Sequence, residues 1–164
     1  MTELKLSKDI KMIVSDFDGV FTDGSVYISE KNDVQKKLSF KDIMGVSMLM
    51  KNGYKFAIIS GEASNILYYF KEKLGVEEIH GGIRQKGIVL DEIMKKYDLK
   101  PNEVLYIGDD INDIPAMELV DYKFAPKNVN PILTVKVKDL QILNASGGDG
   151  AIREITDNLL AIGQ

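Results

Sequence analysis

The chain has no cysteine and no tryptophan, and only one histidine, His80, in its 164 residues. Without cysteine there are no disulfides, no thiolate metal ligands and no thiol nucleophile. A zinc site assembled from one imidazole and carboxylates would be a poor match for that ion. Ser-His and Cys-His nucleophile–base pairs are nearly excluded as well. Long apolar runs are missing: no segment approaches the roughly 20 residues that span a bilayer. The opening MTELKLSKDIK lacks an apolar stretch long enough for a signal peptide. A cytoplasmic protein with no membrane partner is therefore expected. An excess of positive charge is absent too. Lys and Arg number 21 against 25 Asp and Glu, a net charge of −4, which argues against nucleic acid as a general partner. What remains, 45% hydrophobic and 28% charged, is the mix of an ordinary folded protein. Its chemical resource is carboxylate.

The length and the lack of any linker, repeat or low-complexity tract predict one domain over residues 1–164. The apolar runs are short and rich in Val and Ile. Met12–Val14 runs into Ser15-Asp16, Phe56–Ile59 into Ser60-Gly61, and Val104–Ile107 into Gly108-Asp109-Asp110. Each reads as a strand buried on both faces and followed by a polar or glycine turn. Amphipathic stretches lie between them, over Ile43–Lys51, Ala63–Leu74 and Lys86–Tyr97. Shorter strands are expected near Glu78–His80 and Lys123–Ala125. Strand alternating with helix predicts an α/β three-layer sandwich with a mainly parallel, Rossmann-like sheet.

One segment breaks this rhythm. Within Gly24–Phe40, Val26 and Ile28 alternate, a turn falls at Glu30–Asp33, and Val34, Leu38 and Phe40 follow. That pattern predicts a β-hairpin inserted directly after the first strand's loop. Residues 147–164 read as a glycine-rich loop, Gly147-Gly148-Asp149-Gly150, opening a final helix from Ala151 to Leu160.

Ligands of open parallel sheets bind beyond the carboxyl ends of the strands. The polar residues leaving the three strongest strands are Asp16, Asp18, Ser60, Asp109, Asp110 and Asp113. Carboxylates converging on one rim repel, so the arrangement calls for a cation. Oxygen-only ligands suit Mg²⁺. A carboxylate there can attack phosphorus and form an aspartyl-phosphate. Ser60 and nearby amides can hold phosphate oxygens, and Lys86, opening a helix, is a candidate counter-charge. Asp16, Asp18, Asp109 and Asp113 (−4) against Mg²⁺ and Lys86 (+3) leave −1, so a phosphate dianion needs amides or another cation.

In order along the chain, SDFDGVFTDG (Ser15–Gly24), IISG (Ile58–Gly61), Lys86 and GDDINDIPAM (Gly108–Met117) resemble the four motifs of the haloacid dehalogenase superfamily of phosphatases. The DGVFTDG variant, the missing cap domain and the terminal GGDGAIRE (Gly147–Glu154) resemble its small capless branch. That branch contains 3-deoxy-D-manno-octulosonate 8-phosphate phosphatase and relatives acting on nonulosonate 9-phosphates. The resemblance implies Asp16 as nucleophile and Asp18 as acid/base. It implies Mg²⁺ bound by Asp16, the Asp18 carbonyl and Asp109 with Asp113 in support, and Ser60, Gly61 and Lys86 on the phosphoryl group; Asp110 ranks below Asp109 and Asp113. It further implies a homotetramer in which the Gly24–Phe40 flap packs on a neighbouring subunit, with Asp42 and Arg153 along the shared pocket.

Singly, each residue has a plainer role: turn former or helix cap for the aspartates, strand-end turn for Ser60-Gly61, solvated cation for Lys86. Arg153 can pair with Glu154 or Asp157, and Lys73 can cover a helix end. Glu62 after Gly61, with Lys73 eleven residues on, resembles the nonulosonate 9-phosphate enzymes, whereas the octulosonate enzymes would carry arginine after that glycine. The helical repeat would place both residues on one face. Two rival readings are a phosphoryl-acceptor signalling domain, which lacks the Asp18 acid/base, and a non-catalytic module like the phosphatase-like tail of some sugar nucleotidyltransferases. The intact Asp16, Asp18, Lys86 and Asp109 argue against the second.

Overall fold

The computed structural model describes residues 3–163. Strands β1 (Met12–Ser15), β4 (Lys55–Ile59), β5 (Glu78–His80), β6 (Val104–Ile107), β7 (Tyr122–Ala125) and β8 (Gln141–Ile142) form one sheet. Its order is β5-β4-β1-β6-β7-β8, and every neighbouring pair is parallel. The central strand β1 is apolar up to Ser15 and buried at every position, as a strand covered on both faces requires.

Alternation along the strands sorts the core into two layers. Ile13, Phe56, Ile58, Leu105 and Ile107 face one side. There they meet α1 (Phe40–Lys51), α2 (Leu67–Leu74) and α6 (Ala151–Gly163) through Val46, Leu49, Phe70, Ile152 and Ile155. Met12, Val14, Ala57, Ile59, Val104 and Tyr106 face the other, under α3 (Lys86–Lys96), α4 (Ile114–Met117) and α5 (Pro131–Lys136). This is the expected three-layer α/β sandwich. The helix α5 and the edge strand β8 are additions that the sequence pattern does not announce.

The hairpin is present but shorter than expected. β2 (Tyr27–Ile28) pairs antiparallel with β3 (Val34–Gln35), and Phe40 already belongs to α1. Ser39 caps that helix, its side chain accepting from the Lys41 amide at 3.2 Å. The helix expected from Ala63 begins instead at Leu67, because Ser64 draws the Ile66 amide into a local turn. Farther along, the glycine-rich loop is pressed against the first loop of the chain. The Gly148 amide donates to the Val20 carbonyl at 2.9 Å. A Cβ on Gly147 would fall 1.9 Å from the Gly19 oxygen.

An acid at the sheet edge ties β5 to the end of α3. Glu78 is buried and bonds Lys96, Tyr97 Oη (2.8 Å) and His80 Nε2 (2.8 Å). Burial alone would raise its pKa, but the bonds from Lys96, His80 and Tyr97 outweigh burial and hold it at about 2. A depressed carboxyl stabilises the fold above its ordinary value near 4.5, and that contribution drains away as pH falls towards 2. Glu78→Gln should therefore lower the urea midpoint at pH 7, with the gap to wild type narrowing from pH 4.5 downwards. A gap that stays constant to pH 3 would contradict this reading.

Candidate active site

The sheet reverses its strand order at β1. The chain passes from β1 to β4 and β5 on one side, then returns to β6 on the other, and such a switch point opens a crevice at the strand ends. The first residue beyond β1 is Asp16. Its amide donates to the Ile107 carbonyl of β6 at 2.9 Å, which continues the ladder and fixes where its side chain emerges. Phe17 then turns into the core, against Phe21 (5.7 Å between centroids) and Phe70 (5.9 Å). Its burial anchors the loop that presents Asp16 and Asp18.

Lys86 stands at the start of α3 and is wholly buried. Its Nζ lies 2.8 Å from Asp16 Oδ1 and 2.8 Å from Asp113 Oδ1. Burial disfavours the ammonium, but the Asp113 and Asp16 charges outweigh it and raise the Lys86 pKa. Asp113 is the hub. Its Oδ1 also accepts from Tyr106 Oη at 2.7 Å, and its Oδ2 accepts the amides of Asp109 (3.0 Å) and Asp110 (3.2 Å). Four donors fill the lone-pair sites of a carboxylate, so Asp113 organises the loop after β6.

Carboxylate crowding shows in the pKa shifts. Burial first, then the Asp113 charge, pushes the Asp16 carboxyl well up despite Lys86. The same two causes raise Asp109 to about 6. Oxygens of Asp16, Asp109 and Asp113 lie within 4.8 Å of one another. A hard, all-oxygen donor set carrying excess negative charge fits a divalent cation such as Mg²⁺. The Asp18 carboxylate lies outside this group and faces Lys36. Two glycines make the crowding sterically feasible. Gly19 has φ +83°, and a Cβ there would fall 1.8 Å from Asp109 Oδ2; on Gly108 it would fall 2.3 Å from the Asp113 carboxyl carbon.

A 350 Å³ cavity opens over these groups, lined by Asp16, Asp18, Gly19, Gly24, Gly61, Glu62, Asp109, Asp110 and Asn112. A larger hollow of 480 Å³ lies at the opposite ends of the strands, around Ile10, Tyr54 and Leu160. It has no carboxylate in its lining, so chemistry rather than size marks the site. Ser60 is buried at the end of β4, its Oγ accepting the Glu62 amide at 3.3 Å. Asp110 caps the turn after β6, accepting the Ile111 amide at 2.7 Å, and binds Asn130 Nδ2 at 2.8 Å.

Of the four residues expected at the substrate end, Glu62 lies in the cavity wall, and Asp42, Arg153 and Lys73 lie outside it. Asp42 is fully buried and accepts the amides of Gly150, Ile152 and Arg153 at 2.8–3.2 Å, so it caps α6 rather than lining a pocket. Arg153 pairs with Asp157 at 2.7 Å, one helical turn away. Lys73 is exposed in the last turn of α2. Glu62 lines the cavity but precedes the start of α2 at Leu67, so Glu62 and Lys73 do not share a helical face. Lys36 and Tyr106 went unnoticed in the sequence. A lysine in a charged hairpin and a tyrosine in an apolar strand carry no signal there.

The arrangement of acids and lysine at a parallel-sheet switch point is that of a phosphoryl-transfer hydrolase. A family model for haloacid dehalogenase-like hydrolases matches residues 40–121, and the chain belongs to that family. The chain is 29% identical over 154 residues to 3-deoxy-D-manno-octulosonate 8-phosphate phosphatase of Salmonella typhi, covering 94% of this chain and 81% of that protein. The fold is similar to the same enzyme from Moraxella catarrhalis in complex with magnesium, phosphate and the KDO molecule (TM-score 0.87, 29% identity, 94% and 87% of the two chains). It is likewise similar to the cobalt-bound Haemophilus influenzae enzyme (TM-score 0.86, 31% identity, 93% and 88%). Among the described residues no helix is long and apolar enough to cross a membrane.

If Lys86 neutralises this cluster, its loss leaves two buried carboxylates facing each other. Lys86→Met should cost about 3–5 kcal/mol in urea unfolding, the range for stripping one partner from a buried ion pair. A loss below about 1 kcal/mol would contradict the arrangement.

Proposed function

We propose that the chain is a Mg²⁺-dependent phosphatase, a single catalytic domain that removes the terminal phosphate of a 2-keto-3-deoxy sugar acid. The observation that carries the proposal is the buried Asp16–Lys86–Asp113 bridge beside Asp109, opening onto the Asp18 cavity. The relatives, 3-deoxy-D-manno-octulosonate 8-phosphate phosphatases, favour that ester as substrate. A nonulosonate 9-phosphate is the second reading, favoured by Glu62 in the cavity wall directly after Gly61.

In this mechanism an Asp16 oxygen attacks phosphorus in line with the leaving sugar oxygen. Asp18 gives that oxygen a proton, and the sugar acid departs as an alcohol. Asp18 then takes a proton from water, which attacks the phosphoryl group on Asp16 and frees inorganic phosphate. Lys86, Ser60 and Gly61 hold the phosphoryl oxygens. Asp16, Asp109 and the Asp18 carbonyl would hold Mg²⁺, with Asp113 supporting Asp109 through the amide it accepts. When bound, the ion supplies charge neutralisation at the phosphoryl oxygens.

The direct test is phosphate release from both sugar-acid phosphates. Release should stop with EDTA and return with Mg²⁺. Asp16→Asn should abolish it, and Asp18→Asn should lower turnover by roughly 10²–10⁴. Near-normal turnover in Asp16→Asn would rule out the covalent route, and higher efficiency on the nine-carbon ester would select the second reading.

The assembly reading is a cytoplasmic homotetramer. On the hairpin, Tyr27 and Ile28 are 68% and 64% exposed, and Val26 and Val34 are exposed beside them. A two-stranded hairpin showing such a surface is only marginally stable alone, and a neighbouring subunit would cover it. Light scattering should give four times 18.3 kDa; a fully active monomer would refute the assembly.

A further inference from the structure

Lys36 has no part in the roles assigned above, yet its setting is unusual for a lysine. It follows β3 directly, in a hairpin whose apolar side chains are exposed. Its own side chain is only 1% exposed. The ammonium lies 2.8 Å and 3.0 Å from the two Asp18 carboxylate oxygens and 2.8 Å from Glu62 Oε2. It also lies 5.7 Å from the centre of the Phe17 ring, within range of a cation–π contact. Asp18 and Glu62 line the cavity, whereas Lys36 does not. It is sealed behind them.

We propose that Lys36 is a positioning residue that fixes the Asp18 carboxylate for proton transfer and, by the same contact, fastens the hairpin over the site. The inference rests on the phosphatase reading. Asp18 and Glu62 are two like charges held to one cation, and Asp18 has room to move, with 34% of its side chain exposed. Without the ammonium between them they would repel and swing apart, and a misplacement of about 1 Å at a reacting group can cost 10²-fold in rate. Lys36 offsets the charge that Glu62 adds to the cavity wall. The hairpin, in turn, gains an attachment that its short strands do not supply.

The test compares esters that differ in their need for a proton. Lys36→Met keeps the stem beside Phe17 and removes the charge. With Mg²⁺, kcat/KM for propyl phosphate, whose alkoxide is a poor leaving group, should fall at least about tenfold. For p-nitrophenyl phosphate, which departs without a proton, it should stay within about twofold. Lys36→Arg should recover most of the propyl phosphate activity. Equal losses on both esters, or no loss on propyl phosphate, would overturn the positioning role. Hydrogen exchange of the amides from Ser25 to Gln35 should quicken in Lys36→Met and return to the wild-type rate in Lys36→Arg. Unchanged exchange would overturn the fastening. If the wild-type protein hydrolyses neither these esters nor the sugar-acid phosphates, the phosphatase reading fails on its own, and exchange still decides the attachment.

Discussion

The Lys86 ammonium is the contact on which the rest of the site depends. It is buried completely, and its two partners, Asp16 and Asp113, come from the ends of different strands. A buried cation tolerates no misplacement, because an unpaired charge in the interior costs several kcal/mol. The start of α3, the exit of β1 and the loop after β6 are thereby held in one relative position. Asp113 carries the constraint outwards through the amides of Asp109 and Asp110 and the Tyr106 hydroxyl. The chemistry and the packing of this corner are the same set of bonds.

The fold serves that corner by making the strand ends rigid and the loops short. Alternating residues of β1, β4 and β6 feed two separate cores, so neither face of the central strands can slide. Phe17 extends one of these cores into the loop after β1. An apolar residue between Asp16 and Asp18 is thus a nail through the loop, and the alternation of outward acid and inward ring follows from it.

Much of this was legible in the sequence. Strands that are apolar throughout and end in Ser-Asp, Ser-Gly or Gly-Asp declare both the parallel sheet and the rim on which its polar residues gather. Asp16, Lys86, Asp109 and Asp113 stand together because motif order and strand ends coincide. Elements whose cause is long-range were not legible. β8 is two residues long and exists by pairing with β7. The late start of α2 has a local cause instead, Ser64 competing for the Ile66 amide, which the apolar periodicity does not show. Asp42 looks like a surface acid after the flap, but its partners are amides more than a hundred residues away. Lys36 is one of several lysines in its segment, and only the folded chain shows which of them turns inward.

The backbone contact between Gly147-Gly148 and the loop at Gly19–Thr22 has a consequence for synthesis. The loop that carries Asp16 is made before the segment that presses against it, which follows every strand-end residue of the site. A nascent chain that already contains Asp16, Ser60, Lys86 and Asp109 still lacks the wall behind its first loop. The wall behind the Asp16 loop is therefore completed only once Gly147 and Gly148 have been made and can close on it.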